Sequence, residues 1–468
     1  MTAARAQFRR RVVQALDDAG LAVALDRTTT LLSGRRRHVL ADFPDFERAR
    51  DEARDLKDHV LAHLDTYLET FERNATAAGA TVHWAQSAAE ARQAVVDICR
   101  AANAKTVTKS KSMLGEEIAV NAALEAAGIR PVETDLGEHI IQLAGELPSH
   151  IVMPAMHKTR AEIAALFERH HAGHPKLTEV RDLVESARRE IRDAYFAADV
   201  GISGANFLIA ETGSTVTVTN EGNAELTTAL PRVHIVIVGI EKVVPTFADM
   251  TVLLRLLARS ALGAEFTQYV TVYTGPKRAG DRDGPQEFHV VLVDHERTGL
   301  LAGPYREMLR CIRCGACMNE CPVYGAIGGH AYGWVYPGPM GAVLTPTMLG
   351  RDSAPDLPEA CTLNGRCAEV CPVRIPLATM LRRLRADAWT AGLVEKPVRL
   401  GVRLWAFAAT RPALYRALSA AGLRAYALAR RLGLKRLPFA GGWTASRDLP
   451  PPAGRSFHAL WRERDRDR

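Results

Sequence analysis

The chain has 468 residues, 47% hydrophobic and 24% charged, a composition typical of a soluble globular protein of about three domains. Its formal net charge of +7 is uneven, because residues 381–468 carry 19 Lys and Arg against 6 Asp and Glu, so the remainder is acidic. Charges interrupt every apolar run before about eighteen residues, and acidic residues interrupt the basic N-terminus, so the sequence predicts neither a membrane-spanning helix nor a signal peptide. We therefore expect a cytoplasmic protein.

The first two segments differ in pattern. Residues 1–75 are rich in helix formers, with apolar residues at helical spacing among many charges. We predict N-terminal helices there that pack on a neighbouring domain and have little chemistry of their own. From 76 to 296, β-branched or apolar runs alternate with amphipathic stretches, which is typical of an α/β domain with a largely parallel central sheet.

The predicted elements of this α/β domain are short. The strands are KTVTKS (105–110), PVETDL (131–136), HIVMPA (150–155), FLIAE (207–211), STVTVTN (214–220), VHIVIVGI (233–240), YVTVYTG (269–275) and FHVVLVD (288–294). The helices are AAEARQAVVDICRAAN (88–103), LGEEIAVNAALEAAG (114–128), TRAEIAALFERHH (159–171) and ADMTVLLRLLARSALG (248–263). A bend at Thr212-Gly213-Ser214 predicts that FLIAE and STVTVTN form an antiparallel hairpin added to the central sheet.

Polar side chains near these strand ends are candidates for a small-molecule cleft. Three lie between a strand and a helix, where they would receive a carboxylate or phosphate: Lys109, Lys111 and Ser112. Four flank the hairpin: Glu211, Asn220, Glu221 and Asn223. The alternative is an ordinary helix start with solvated turns. Because no Gly-rich fingerprint is present, we do not assign a nucleotide to this cleft.

Isolated potential ligands in the same domain have structural interpretations. Cys99 lies in an amphipathic helical stretch and is predicted to be a small buried hydrophobe. Five histidines are predicted to lie on the surface or to be satisfied by hydrogen bonds: His150, His157, His170, His171 and His174.

The other seven cysteines lie between 311 and 371. CIRCGACMNECP (311–322) aligns with CTLNGRCAEVCP (361–372), so that three cysteines and one proline fall in register. The first segment has the C-x2-C-x2-C-x3-C-P spacing of cubane iron–sulfur loops, in which the fourth cysteine reaches the other cluster. Structural zinc sites favour separated pairs of ligands and fit poorly, and seven cysteines cannot all pair as disulfides. We predict two iron–sulfur clusters.

Because the last cysteine of each loop reaches the other cluster, the spacing predicts the ligands of each cluster. Cys311, Cys314, Cys317 and Cys371 would hold a [4Fe–4S] cluster one, whereas Cys321, Cys361 and Cys367 would hold cluster two. Asn364 stands where the fourth cysteine of the second loop belongs. Cluster two is then [3Fe–4S], or [4Fe–4S] with one iron bound by water, a partner's group or, least favourably, the Asn364 amide. A simpler interpretation is that Asn364 caps the turn, and both interpretations can hold together, since Asn tolerates turn geometry.

The regions around the two cysteine loops complete the predicted layout. The 39 residues between Cys321 and Cys361 suit an α-helical dicluster ferredoxin domain, placed at 297–380. Within it, residues 328–346 lack periodicity and predict a loop that either covers a cluster or is simply rigid, with His330 as a loop residue. Residues 381–468 predict a basic helical C-terminal segment with a mobile Pro/Gly/Arg-rich end at 441–456.

The basic segment has three interpretations: solvated helices, a surface for an acidic partner subunit, or peripheral contact with the inner membrane face through Trp405, Phe407 and Tyr415. We expect no nucleic acid binding, because the aromatics do not form a stacking platform.

Three long segments resemble the LutB family, the iron–sulfur subunit of the lactate-utilisation system. They span 109–158, 204–246 and 311–346, beginning KSKSMLGEEI, GANFLIAETG and CIRCGACMNE. The resemblance implies an α/β LUD domain related to isomerase and CoA-transferase-like folds, then a dicluster ferredoxin domain and a family-specific C-terminal segment. It also implies that the seven clustered cysteines are ligands, and that LutA-like and LutC-like partners oxidise L-lactate to pyruvate with this chain.

Two functions follow as hypotheses. The chain is an electron-transfer subunit of a lactate-oxidising complex, not a complete enzyme alone, and its electron acceptor is not named by the sequence. Alternatively, the LUD domain itself binds or transforms a carboxylate or acyl-CoA, and the clusters are structural or sensory.

Overall fold

The computed structural model describes residues 3–174, 176–432, 450–451 and 454–464. The chain forms two compact units, Met1–Ala388 and Trp389–Arg468. The first unit contains the N-terminal helices, two β-sheets with their helices, and the cysteine-rich region.

The N-terminal segment is helical, as predicted. Its helices are α1 (Ala3–Asp17), α2 (Ala19–Ala41), α3 (Phe46–Ala62) and α4 (Leu64–Ala77). Asp18 caps α2, because its side chain accepts the Leu21 N–H at 2.9 Å. Leu25 of α2 and Phe46 of α3 belong to one hydrophobic core with Met318 of the cysteine-rich region. These helices therefore pack directly against the cysteine loops.

Two sheets organise the α/β part of this unit. The strands are β1 (Thr81–Ala85), β2 (Thr106–Lys109), β3 (Arg130–Glu133), β4 (Val200–Gly204), β5 (Phe207–Ile209), β6 (Ser214–Thr219), β7 (Val233–Gly239), β8 (Val243–Val244), β9 (Tyr269–Tyr273) and β10 (Glu287–Val293). Six form a parallel sheet in the order β1-β10-β7-β4-β2-β3, and four form a second sheet in the order β8-β5-β6-β9. The predicted α/β class is confirmed.

Helices cover both faces of the parallel sheet. The helices of this part of the chain are α5 (Ala88–Ala101), α6 (Met113–Glu117), α7 (Val120–Ala126), α8 (Leu136–Ala144), α9 (Arg160–His170), α10 (Val180–Ala197), α11 (Asn223–Ala229) and α12 (Phe247–Ala261). Val291 of β10 packs in a core with Val95 of α5, whereas its neighbour Val290 packs with Phe71 of α4. Every residue of β7 is buried, as expected for a central parallel strand covered on both sides.

The predicted hairpin forms, but in the second sheet. β5 and β6 pair antiparallel across Gly213, whose φ of +67° suits glycine. The prediction that the hairpin extends the central sheet is wrong, because β4, which precedes it, already has β2 and β7 on its two sides and offers no free edge. Phe207 and Val216 of the hairpin instead pack in the core that includes Leu253 of α12.

Other predicted elements differ from those in the structure. HIVMPA (150–155) is a series of bends and turns, because the His150 ring accepts the N–H groups of Val152 and Met153 at 3.1 and 3.0 Å and so replaces strand pairing. Sequence reasoning missed β1, β4, β8, α8, α10 and α11. In β4, Gly201 hid the strand signal, and a Cβ there would lie 1.9 Å from the Thr227 carbonyl oxygen of α11.

The cysteine-rich region is helical with short turns. Its helices are α13 (Arg297–Ala302), α14 (Ala316–Asn319), α15 (Pro322–Ile327), α16 (Gly338–Met348), α17 (Leu357–Ala360), α18 (Arg366–Glu369) and α19 (Leu377–Thr390), and 3-10 turns occupy Arg306–Arg310 and His330–Tyr332. A further 3-10 turn, Ile240–Lys242, lies between β7 and β8. The prediction of a loop over all of 328–346 is wrong for the part in α16. That helix is buried on all sides, so its sequence has no polar face to reveal a helical period.

The second unit contains helices with exposed apolar and basic side chains. They are α20 (Lys396–Ala409), α21 (Pro412–Arg431) and α22 (Phe457–Arg464), none of which has a buried residue. None of the helices in the described ranges is long and apolar enough to cross a membrane, as predicted. Most of the end predicted to be mobile, including 441–449, lies outside the described residues.

Candidate metal centre and ligand cleft

The two cysteine loops have the same backbone conformation. Arg313 and Leu363, two residues after each first cysteine, have φ values of +59° and +56°. Gly315 and Gly365 follow at +78° and +83°, and each precedes a four-residue helix, α14 or α18. The sequence register of the two loops is therefore a structural repeat.

Backbone N–H groups in these loops point at cysteine sulfurs. Arg313 donates to Cys311 at 3.4 Å, Leu363 to Cys361 at 3.3 Å, Tyr324 to Cys321 at 3.5 Å and Ile375 to Cys371 at 3.3 Å. Such bonds favour the thiolate form and adjust the reduction potential of a bound cluster.

Four of the sulfurs form one electrostatic group. Burial, together with the neighbouring Cys371 and Cys311, raises the pKa of Cys314 to about 12. Burial and the same neighbours, with Cys314, raise the pKa of Cys317 well above its usual value. The structure thus brings together the four cysteines predicted for cluster one, although Cys371 comes from the second loop.

The remaining three sulfurs form a second group. Burial and the neighbouring Cys361 and Cys321 raise the pKa of Cys367 to about 12. Burial also raises the pKa of Cys321, with Cys361 again a contributing neighbour. Cys367 in turn acts on Cys317 of the first group, so the two groups are adjacent.

This arrangement fits iron–sulfur clusters. All eight cysteines lie among the described residues, and none forms a disulfide. Several thiolates buried together repel one another unless a cation compensates them, and cluster iron supplies that charge. Four converging thiols suit a fully cysteine-ligated cubane, whereas three leave one corner without a thiolate.

Asn364 makes a local hydrogen bond in place of the missing cysteine. Its exposed side-chain oxygen accepts the Arg366 N–H at 3.2 Å, at the start of α18. Its counterpart Cys314 is 8% exposed and faces the first group of sulfurs. Asn364 therefore caps the turn, one of the two alternatives that the sequence left open.

Two buried arginines from the N-terminal helices reach the second cysteine loop. Arg50 of α3 donates to the Cys371 carbonyl at 3.0 Å and to the Glu369 carbonyl at 2.6 Å, and Arg36 of α2 donates to the Val370 carbonyl at 3.1 Å. The prediction that these helices have little chemistry of their own is corrected, because they place cations beside the thiols. The sequence contains no local signal for contacts across more than 300 residues.

A buried ion network joins the sheet to the first cysteine loop. Arg297 forms two 2.9 Å bonds with Glu117 and one of 2.7 Å with Glu241. Arg313 lies 3.8 Å from Glu241 and stacks over the Tyr336 ring. Burial disfavours the charged form of Glu241, but Arg297 and the nearby cations lower its pKa to about 2.

Two buried lysines extend this network. Lys57 of α3 donates to the Glu241 carbonyl at 2.5 Å, and Lys242 donates to the Cys311 carbonyl at 3.2 Å. Burial lowers the pKa of each lysine to about 8. The polar groups between the sheet and the cysteine loop therefore carry a positive balance, which complements a negatively charged cluster.

A cleft of about 420 Å³ lies at the carboxyl ends of the parallel strands and extends to Arg313 and Tyr336. Five residues predicted for a cleft line it: Lys111, Ser112, Asn220, Glu221 and Asn223. Sequence reasoning missed Ser110, Asp135 and Lys242, which line it as well. In the sequence, these three residues are marked only by their position in the loops that follow predicted strands.

Lys109 and Glu211 are not part of this cleft. Lys109 is fully buried and forms ion pairs with Glu116 at 2.9 Å and Glu133 at 2.7 Å. Glu211 is exposed and accepts the Phe247 N–H at 2.6 Å at the start of α12. Both side chains therefore bond to other parts of the protein, and neither lines the cleft as predicted.

The isolated cysteine and the histidines behave as predicted. Cys99 is fully buried in α5, where burial raises the pKa of its thiol to about 12. The histidines are exposed or hydrogen-bonded: His150 to Asn319, His157 to Glu146 and Ser149, His171 to Ser186 and His139, His174 to the Glu168 carbonyl, and His170 on the surface. His330 donates to the Leu147 carbonyl at 2.7 Å.

Comparison with known proteins decides the family. Three family models match the chain: the LUD domain over 68–293, a 4Fe-4S dicluster domain over 307–375, and the C-terminal region of lactate utilisation protein B over 395–466. A lactate utilization protein B from Lysinibacillus sphaericus is 41% identical over 464 residues, with 98% of this chain and 97% of the relative covered. The chain belongs to the lactate utilization protein B family.

Other relatives agree with this assignment. The uncharacterized electron transport protein YkgF from Escherichia coli K12 is 42% identical over 459 residues, with 97% and 96% coverage of the two chains. A lactate utilization protein B from Geobacillus kaustophilus is 42% identical over 437 residues, with 92% and 91% coverage. In this family member, the LUD match contains the parallel sheet and most of the cleft, and the dicluster match contains all seven clustered cysteines.

Proposed function

We propose that this chain carries electrons through two iron–sulfur clusters as a subunit of a complex that oxidises L-lactate to pyruvate. The arrangement of seven buried or half-buried thiols in two adjacent groups is the observation that carries the proposal. When bound, each cluster supplies one-electron transfer. The names of the relatives, lactate utilization protein B and an electron transport protein, support the biological setting.

We assign the ligands by group. Cys311, Cys314, Cys317 and Cys371 hold cluster one as [4Fe–4S], and Cys321, Cys361 and Cys367 hold cluster two, where the fourth corner lacks a cysteine. Cluster two is then [3Fe–4S], or [4Fe–4S] with a non-cysteine ligand. Because Asn364 already accepts a backbone N–H, water or a partner's group is a better ligand for that iron than its amide.

The proposed complex contains LutA-like and LutC-like subunits. Oxidation of lactate to pyruvate releases two electrons and two protons, whereas the proposed clusters take electrons singly. A partner is therefore needed to perform the two-electron step and to pass the electrons on.

We also propose peripheral membrane contact through the second unit. Trp405 and Phe407 of α20 are 65% and 55% exposed, and Tyr415 of α21 is 38% exposed, among many arginines. Exposed aromatics beside cations suit an anionic membrane surface. Co-sedimentation of the full chain with anionic but not zwitterionic vesicles is the expected result, and binding to neither favours an acidic partner subunit.

Anaerobic reconstitution tests the electron-transfer role. We expect the loaded protein to show the broad visible absorption of iron–sulfur clusters and EPR signals from two centres that respond to reductant. Cys317→Ser should lose the cluster-one signal, whereas the matched control Cys99→Ser, in α5 and outside both groups, should keep both signals. Absence of any cluster signal from the parent chain would refute the proposal.

The cleft supports a second candidate function, in which the LUD domain binds a small molecule. Its position between the strand ends and the first cysteine loop favours this role. Saturable binding of a carboxylate or acyl-CoA to the isolated chain is the test, and turnover without partners would make the domain a catalyst.

A further inference from the structure

The cleft lies where the strand connections of the parallel sheet diverge. β2 and β4 are neighbours, but the chain leaves β2 toward β3 on one side and leaves β4 toward the β7 side on the other. In parallel α/β sheets such a switch point opens a crevice at the carboxyl ends of the strands, where ligands bind. Ser110 and Lys111 after β2, and Ala205 and Asn206 after β4, line this cleft.

Two lysines line the cleft without acidic partners. Lys111 Nζ donates to the Val152 carbonyl at 2.5 Å, and Lys242 Nζ donates to the Cys311 carbonyl at 3.2 Å. Within the described ranges, neither lysine forms an ion pair with a carboxylate. Each ammonium group has three N–H donors, so both retain donors for a ligand.

A serine hydroxyl in the same cleft is unsatisfied. Ser110 is 1% exposed, and its Oγ has no hydrogen-bond partner in the part of the chain that the structure describes. A buried hydroxyl without a partner costs free energy that a ligand would recover. A water or a polar group of a ligand would satisfy this hydroxyl, which makes Ser110 a candidate contact for a bound molecule.

Three acidic side chains line the cleft: Asp135 and Glu221, which have backbone partners, and Glu241, which is paired with Arg297. Asp135 accepts the N–H groups of Gly137 and Glu138 at the start of α8, at 2.9 and 3.1 Å. Glu221 accepts the Leu136 N–H at 3.4 Å. The cleft nevertheless favours an anion, because five basic side chains line it, Arg35, Lys111, Lys242, Arg297 and Arg313, against these three carboxylates.

We propose that this cleft binds a small organic carboxylate, held by Lys111 and Lys242, with Ser110 as a further hydrogen-bonding group. The choice of 2-hydroxy and 2-oxo acids as candidate ligands rests on the proposed role in lactate oxidation, whereas the anion site itself rests on the cleft alone. The cleft volume also admits larger acids of the same class.

Occupancy of the cleft is coupled to cluster one through this chain's own residues. Lys242 contacts the Cys311 carbonyl, and Arg313, whose N–H donates to the Cys311 sulfur, also lines the cleft. A bound carboxylate adds negative charge beside this loop, and negative charge disfavours the reduced state of a cluster. Ligand binding should therefore lower the reduction potential of cluster one.

Calorimetry on the anaerobically reconstituted full chain tests the site. Pyruvate and L-lactate are the probes, with inorganic phosphate as a separate titration because lysines also bind phosphate. We expect saturable carboxylate binding that Lys111→Met weakens about ten- to a hundred-fold, the value of a charged hydrogen bond. Lys176→Met is the matched control, since it removes the same charge from a side chain that is 87% exposed, and should leave the affinity unchanged.

Redox titration followed by EPR provides the second readout. Pyruvate should lower the cluster-one potential in the parent chain and in the control, but not in Lys111→Met. Absence of carboxylate binding up to about 10 mM, equal affinity in Lys111→Met, or binding of phosphate alone would overturn the carboxylate site. If carboxylate binding fails in one of these ways but both clusters are still reduced, the electron-transfer role stands. If the cluster signals are absent, the electron-transfer role is contradicted and the binding site is not.

Discussion

Replacing Arg297 by methionine removes the cation at the centre of the buried ion network. The Arg297 side chain is 2% exposed, and its partners Glu117 and Glu241 are 0% and 3% exposed. Methionine keeps most of the side-chain length but leaves both carboxylates without their cation. Among the remaining cations of the network, Arg313 is 3.8 Å from Glu241, and Lys57 and Lys242 donate to backbone carbonyls, so none of them replaces the three short bonds.

The expected loss of folding free energy is large because the two carboxylates that lose their cation are buried. Breaking a buried ion pair by removing one partner costs about 3–5 kcal/mol, a substantial part of a typical folding free energy of about 5–15 kcal/mol. The matched control is Arg188→Met, because Arg188 is 71% exposed in its ion pair with Glu185. That exposed pair is screened by solvent and contributes little to stability.

The pH dependence separates this explanation from a simple packing defect. In the parent chain the pKa of Glu241 is lowered from 4.5 to about 2, so its contribution to stability is present above pH 4.5 and is lost as the pH falls toward 2. In Arg297→Met the buried carboxylates resist ionisation, so their pKa values rise and protonation relieves the cost. The stability difference between variant and parent should therefore shrink as the pH is lowered.

Thermal unfolding of the cluster-loaded, anaerobic protein measures the effect. Because cluster loss makes unfolding irreversible, apparent melting temperatures are compared at one scan rate. At about 2 °C per kcal/mol for a large unit, the variant should melt roughly 6–10 °C below the parent at pH 8. A loss no larger than that of the Arg188 control, or one that does not change between about pH 8 and 5.5, would refute the reasoning.

Three further predictions concern the loops and their surroundings. Asn364→Cys should complete the second thiol group, converting cluster two to a fully cysteine-ligated [4Fe–4S] centre by EPR; an unchanged spectrum and potential would mean that position 364 does not face the cluster. Arg50→Met removes a cation bonded to the Cys371 carbonyl and should lower the cluster-one potential by on the order of 60 mV, a tenfold change in a one-electron equilibrium, whereas the exposed Arg48→Met should not. Gly213→Ala places a Cβ 2.1 Å from the Ala75 backbone nitrogen and should destabilise the chain by more than about 3 kcal/mol in thermal unfolding. The control Gly280→Ala, with positive φ but no atom within 4 Å of the added Cβ, should cost only about 1 kcal/mol. Equal losses of stability in the two variants would contradict the steric argument.

Much of the fold could be predicted because its signals are local. Seven of the eight predicted strands form, since β-branched runs such as VHIVIVGI show their burial directly in the sequence. The failures occur where local pattern and structure diverge. The His150 ring takes the backbone N–H groups of HIVMPA, and α16 is buried on all sides and so lacks an amphipathic period.

The sequence by itself determined the cysteine loops and their grouping, because two-residue spacers and a following proline constrain thiols over a few residues of backbone. Only the tertiary structure decided what surrounds them. Arg50 meets the Cys371 carbonyl 321 residues away, and Arg297 meets Glu117 across 180 residues. The cleft likewise depends on strand order, which places β4 between β2 and β7. Such contacts depend on how distant elements pack together, and local residue patterns do not predict that packing.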